Sequence, residues 1–283
     1  MESIMNRNRR WYSSALMIIL LLALSFFFLL PLIYMVSRSF MPASQISKYP
    51  PEWIPYPWTL RSYEQGLSTG MIVNFFKNSV FITVLNIIGV IFSSSLVAFG
   101  FACLKSKLKN FLFLLLLSTM MIPNTVTLIP MFVLYSNFKL VDTYFPLVMM
   151  AFLGGGAFNI FLLRQFFLAI PNSLAESARL DGCGWGRIYW NIYLPNAKSA
   201  LLVVTMFTFV NCWNDYFGPM IYLTSPSKFT VAIGLNLFKS QFGTTDIGPL
   251  MAMAFLTVLP ILIIYVICQK YFVQGIVTTG MKM

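Results

Sequence analysis

The chain has 283 residues and a net charge of +11, yet it is 58% hydrophobic and only 10% charged. Soluble domains carry about 25% charged residues, so this balance excludes an ordinary soluble fold and indicates a polytopic membrane protein of class all-α. There is no histidine and no G-x-x-x-x-G-K-[ST] loop, which excludes His-based catalysis or metal binding and a nucleotide phosphate loop within this chain.

Residues 1–10 carry Arg7, Arg9 and Arg10, and an apolar run over about 15–36 follows. The run is too long for a cleaved signal peptide and reads as the first spanning helix. Residues 37–73 are polar and rich in Pro, Tyr and Trp, including Trp53 and Trp58. They read as an irregular external loop with aromatic rings at headgroup level. A second span is expected over 79–104, followed by a short loop with Lys105, Lys107 and Lys109. The third, 111–135, is interrupted by Pro123 and Pro130, which a transmembrane helix tolerates when neighbouring groups satisfy the freed carbonyls. The fourth, 144–163, contains Gly154, Gly155 and Gly156, suited to close helix approach or a local break. The fifth is expected over 199–223 and the sixth over 247–268, with 225–246 as the loop between them. The whole chain, 1–283, reads as one transmembrane domain.

Between the fourth and fifth spans lies 164–198, a stretch without a bilayer-length apolar run. Ser173 and Glu176 have capping-box spacing after Pro171, which predicts a helix start. Gly182 is placed to stop that helix, Gly184 and Gly186 make a turn, and Ile188 and Ile192 predict a second short helix bounded by Pro195. Two helices this short are marginal alone in water, so the hairpin is expected to dock on something.

Six spans put both termini on one side. The terminal segments, 104–110 and 164–198 hold twelve of the 19 Lys and Arg and three of the eight acidic residues, leaving +9 there against +2 opposite. By the positive-inside rule the termini and the hairpin face the cytoplasm. Charge at segment ends explains the basic composition without nucleic acid. Cys103, Cys183, Cys212 and Cys268 are scattered with no C-x-x-C, which speaks against disulfides and zinc.

The hairpin spacing runs Glu176-Ser177-Ala178, three residues, Gly182, nine residues, then Ile192-x-Leu194-Pro195. It resembles the EAA loop of the membrane subunits of ATP-binding-cassette (ABC) importers, EAA-x3-G-x9-I-x-LP, with Ser177 where Ala is usual. A capping box alone requires neither the distant Gly182 nor the Ile-x-Leu-Pro ending. Trp213-Asn214-Asp215-Tyr216-Phe217-Gly218-Pro219, Asn78-Ser79, and the Gln269–Gly275 stretch are similar to the maltose-type carbohydrate branch, and to its shorter permease partner.

The resemblance implies a passive pathway rather than an enzyme, in a bacterial or archaeal inner membrane. It implies a second, distinct permease subunit, two cytosolic ATPase subunits that carry the ATP and Mg, and an external solute-binding protein. No cofactor is expected on this chain; its other partner is membrane lipid. The ATPase-coupling residues implied are Ser173, Ala175, Glu176, Ser177, Ala178, Asp181, Gly182, Ile192, Leu194 and Pro195. The loop 225–246, with Asn236, Lys239, Gln241 and Gly243, is implied to contact the binding protein.

For the solute pathway, Asn211, Asn214 and Asp215 fall at i, i+3, i+4 on the fifth span, with Phe207 and Thr208 one turn below. Asp215 is the only carboxylate within a span, a functional candidate by default. At ~1.5 Å per residue it lies ~24 Å up a core about 30 Å thick, so it also suits a structural place near the outer interface. Two other classes compete. A secondary transporter needs ion-coupling groups or a repeat, and a membrane enzyme needs clustered acids or histidines at an interface; neither pattern is evident. A permease for another small polar solute also remains open.

Overall fold

The computed structural model describes residues 2–68, 70–242 and 247–280. Among these residues every regular element is helical: α1 (Glu2–Ser39), α2 (Ala43–Ile46), α3 (Arg61–Ser68), α4 (Met71–Cys103), α5 (Lys109–Ser118), α6 (Asn124–Asn137), α7 (Phe145–Phe152), α8 (Ala157–Ala169), α9 (Asn172–Leu180), α10 (Trp185–Asn196), α11 (Lys198–Trp213), α12 (Phe217–Tyr222), α13 (Val231–Phe242) and α14 (Gly248–Gly280). Among the described residues four helices are long and apolar enough to cross a bilayer, and up to six when each of two bent pairs counts as one span. The chain forms two compact units, Met1–Thr69 with Leu237–Leu256, and Gly70–Asn236 with Thr257–Met283.

In the first unit the apolar part of α1 exposes its side chains over residues 16–29 as a lipid-facing helix does, and buries Ser37, Arg38 and Ser39 at its end. The region after it is not the irregular loop that its composition suggests. Side chains there tie backbone to backbone. The Arg38 guanidinium donates to the Ile46 carbonyl at 2.5 Å and lies 4.9 Å from the Tyr34 ring centre. The Gln45 amide donates to Glu52 and to the Ile54 carbonyl and accepts the Tyr56 N–H. Phe40 packs its ring on Trp58 and Tyr63. Hydrogen bonds from Lys48 and Gln45 hold the Glu52 carboxyl below its ordinary pKa. Such a cap has no sequence period, because its order comes from polar side chains rather than a repeating apolar face.

In the second unit α4 is central, packing against α7, α8 and α11. The fourth span is a broken helix, α7 then α8, running on to Ala169. Gly154, Gly155 and Gly156 all have positive φ, and a Cβ on Gly155 would lie 3.0 Å from the Val90 backbone. The glycines therefore serve both uses, a break and a close approach. Ser93 fastens the contact by donating to the Ala151 carbonyl at 2.6 Å. The third span bends by 98° between α5 and α6, where Pro123 holds Ile122 extended. The fifth stops at Trp213, whose indole N–H donates to the Thr257 carbonyl at 3.0 Å, and resumes as α12. The expected loop over 225–246 contains a 12-residue helix, α13, of which Val231, Ile233 and Phe238 are buried.

Candidate functional site

The hairpin forms α9 and α10. Helix α9 begins at Asn172 with Pro171 as its N-cap, and no side chain caps it. This corrects the expected capping box: Ser173 already lies inside the first turn, so its hydroxyl is not at the cap. The Glu176 side chain is exposed and has no hydrogen-bond partner among the described residues. The C-terminal end follows expectation. Gly182 has φ +81°, its N–H donates to the Arg179 carbonyl at 3.0 Å, and the Cys183 N–H donates to the Ala178 carbonyl at 2.9 Å. This is the Schellman pair that closes a helix on a left-handed residue. Helix α10 does not end at Pro195 as the sequence suggests but runs through it to Asn196. The preceding turn, Tyr189–Tyr193, widens to a π-turn, which relieves the clash of a proline ring with the carbonyl four residues back.

One side of the hairpin is fixed to the membrane helices. Ala175, Ile188, Tyr189, Tyr193, Ala197 and Ala200 share a core with Phe99 of α4 and Leu163 and Phe167 of α8. The Phe99 ring meets those of Phe167, Trp185, Tyr189 and Tyr193 at centroid distances of 5.1–6.5 Å. The Tyr189 and Ser95 hydroxyls are hydrogen-bonded at 2.7 Å in the interior. Ala178, Ile192 and Leu194 are half-buried at the rim, and Pro195 is exposed. The other side presents Ser173, Glu176, Ser177, Leu180, Asp181 and Gly182 to the outside. Leu180, missed in the sequence reading, is 90% exposed. Its signal was available: on α9 it lies one turn beyond Glu176, opposite Ala175.

The five pathway candidates divide. Phe207, Asn211 and Asn214 are exposed, with Phe207 edge-on to exposed Phe158 at 5.6 Å. The Asn211 amide has no partner among the described residues, and the Asn214 amide donates to the Val210 carbonyl. Thr208 is buried. The Asn214 N–H still donates to the Val210 carbonyl at 3.2 Å, so Asn211 and Asn214 keep their shared exposed face, whereas Asp215 leaves the helical register. The Asp215 carboxylate turns back to accept the Gly218 N–H at 3.0 Å. It borders a cavity of ≈ 20 Å³ with Ser79, Asn86, Cys212 and Thr230, enough for one water. Of the external candidates, Asn236 is exposed and donates to the Tyr216 hydroxyl at 2.7 Å, and Lys239 is exposed. Gln241 lies on α13, but its side chain is outside the described set, as is Gly243 altogether.

Broken bilayer-length helices, a packed hairpin with one open side, and an exposed aromatic–amide face describe a permease, a protein that forms a path and performs no chemistry. Residues 94–278 match the family described as "Binding-protein-dependent transport system inner membrane component", and the chain belongs to that family. It is similar to the arabinooligosaccharides transport system permease protein of Halalkalibacterium halodurans, 30% identical over 98% of this chain and 100% of that one. It is 32% identical to the sn-glycerol-3-phosphate transport system permease protein of Yersinia pestis, over 88% of this chain and 90% of that one. Among solved structures, a bacterial ABC transporter involved in import of the acidic polysaccharide alginate has a chain that superposes with a TM-score of 0.80 at 25% identity, covering 92% of this chain and 96% of that one. This chain is therefore a multi-pass inner-membrane permease component of an ABC importer, a non-enzymatic subunit that works with an ATPase and a solute-binding protein.

Proposed function

We propose that this chain is one half of a permease heterodimer that carries a sugar or oligosaccharide, with two ATPase subunits engaged from the cytoplasm. The single transmembrane domain has both termini on the cytoplasmic side, and its ATPase contact is the open side of the 164–198 loop. The observation that carries the reading is the two-sided hairpin. Ala175 and the Phe99 aromatic cluster hold it to α4 and α8, while Glu176, Leu180 and Asp181 stand free on the opposite side. An ATPase that grips the open side moves the membrane helices through the buried one. Leu180 supplies an apolar anchor worth about 1.5–3 kcal/mol on burial, and Glu176 a carboxylate for a basic group.

A carbohydrate is favoured by this chain's contribution to the pathway. Phe158 and Phe207 offer apolar ring surface for the C–H faces of a sugar, and Asn211 and Asn214 offer amides for its hydroxyls. No cationic side chain belongs to this set, as an anionic solute would call for. The test is to copurify the complex with its binding protein and measure ATP hydrolysis against a panel of neutral oligosaccharides, glycerol phosphate and amino acids. Stimulation by a neutral oligosaccharide supports the reading. Stimulation by glycerol phosphate or an amino acid alone overturns the substrate class.

A further inference from the structure

Segment 223–231, which runs from the end of α12 to the first residue of α13, is tied by residues far away in the sequence. Asp142, with φ +61° between α6 and α7, is its main anchor. Asp142 Oδ1 accepts the N–H groups of Thr224 at 3.0 Å and Ser225 at 2.9 Å. Its Oδ2 accepts the Ser225 hydroxyl at 2.6 Å and the Lys228 ammonium at 2.8 Å. Lys228 also donates to the Asp142 carbonyl at 2.5 Å, and the Asp142 N–H donates to the Tyr222 carbonyl at 2.7 Å. A second anchor comes from the start of α4. The Asn78 amide donates to the carbonyls of Ser227 at 2.9 Å and Phe229 at 3.0 Å, and Ser79 Oγ accepts the Val231 N–H at 2.9 Å.

A solvated connector needs none of this, because water satisfies its backbone. Here side chains from two other parts of the unit take that role, and several of the bonds are charge-assisted, the stronger kind. The segment is therefore a fixed strap. It fixes where α13 starts and the direction of its first turns, the part of the chain that carries Asn236.

We propose that Asp142 is a positioning residue for docking of the solute-binding protein: by clamping Thr224, Ser225 and Lys228 it sets the stance of α13. This rests on the reading of Asn236 and Lys239 as binding-protein contacts. Asp142 does not itself meet the partner, since both carboxylate oxygens are occupied within the chain. Aspartate suits the place for two reasons. One oxygen serves two N–H groups while the other serves a cation, and short Asx side chains tolerate the left-handed conformation.

The experiment is a titration of solute-loaded binding protein against the reconstituted importer, read as ATP hydrolysis. Asp142→Ala should raise the half-maximal concentration about tenfold, the size expected when a charge-assisted cluster is lost, while basal and maximal hydrolysis hold. Asp142→Asn keeps the acceptor for the two N–H groups and should fall between wild type and Ala. Lys228→Met should show a smaller shift. Asn236→Ala and Lys239→Glu, run alongside, test the contact surface itself. If those two shift the titration and Asp142→Ala does not, the clamp has no positioning role and the proposal is overturned while the surface reading stands. If none shifts it, the surface reading fails and the proposal with it. If Asp142→Ala fails to assemble, Ser225→Ala and Lys228→Met decide the matter; unchanged half-maximal concentrations for both overturn the proposal.

Discussion

Replacing Gly182 separates backbone strain from steric contact at the tip of the coupling hairpin. Gly182 sits at φ +81°, and a Cβ built there meets no atom of this chain within 4 Å. The cost of a side chain is therefore conformational. For an L-residue the left-handed region costs roughly 1–2 kcal/mol, more for a β-branched one and less for Asn, which visits it readily. Straining this residue weakens the two bonds that close α9, to the Ala178 and Arg179 carbonyls, and lets the exposed Glu176–Asp181 face rotate. A penalty of about 1–2 kcal/mol is a factor of roughly 5–30 in the population of the competent hairpin. Association with the ATPase, by pull-down at matched membrane levels, should follow Gly ≈ Asn, then Ala, then Val. If the glycine were needed for close approach of the ATPase, size would rule and Ala would outperform Asn. An order of Ala above Asn, or full association by Gly182→Val, refutes the strain argument.

The Ser95–Tyr189 hydrogen bond should behave as a buried pair. Ser95→Ala should cost about 1–3 kcal/mol of thermal stability by orphaning the Tyr189 hydroxyl, Tyr189→Phe should cost less because Ser95 keeps its bond to the Ile91 carbonyl, and the double variant should cost less than the sum; additive losses would show the bond makes no coupling. The Asp142 clamp gives a pH signature. Its carboxyl is held well below the usual carboxylate range, chiefly by the Lys228 and Ser225 hydrogen bonds. A depressed folded pKa adds stability that is full above the unfolded value of about 4 and fades as pH falls through the folded one. The stability gap between wild type and Asp142→Asn should thus be open at pH 7 and narrow below about pH 4; a gap independent of pH contradicts it. For topology, a single cysteine at exposed Ser227 should react with an impermeant thiol reagent from outside intact cells, and one at exposed Ser173 should not. Reversed labelling would invert the orientation.

The coupling hairpin was legible because its signals are local. Pro171 bars helix before it, and Gly182 meets a demand that glycine satisfies best. The capping box misled because the same Ser-x-x-Glu spacing fits inside a helix that starts two residues earlier, with Pro171 rather than Ser173 at its N-cap. The cap after α1 was illegible since Arg38 and Gln45 order it by reaching backbone groups eight to eleven residues away, which leaves no period. Asp215 departs from the expected face because the helix ends at Trp213 and its carboxylate accepts the Gly218 N–H, an end that the apolar pattern does not mark. Helix α13 was legible in the helical register of Val231, Leu235 and Phe238, which the reading of 225–246 as a loop passed over; only the hold of Ser79 on its start comes from far away in the chain.

The central claim is that the open side of α9 is where ATP hydrolysis is coupled to this permease. The most direct measurement is binding-protein-stimulated ATP hydrolysis and ATPase pull-down for Glu176→Ala combined with Leu180→Ala, at constant membrane levels. Both side chains are exposed in this chain, so its own fold should be unchanged. Loss of a buried carboxylate contact costs about 2–5 kcal/mol and loss of an apolar anchor about 1.5–3. The account predicts ATPase association weakened by at least about three-hundredfold, with stimulated hydrolysis lost. Full association and full stimulation in the double variant would contradict it.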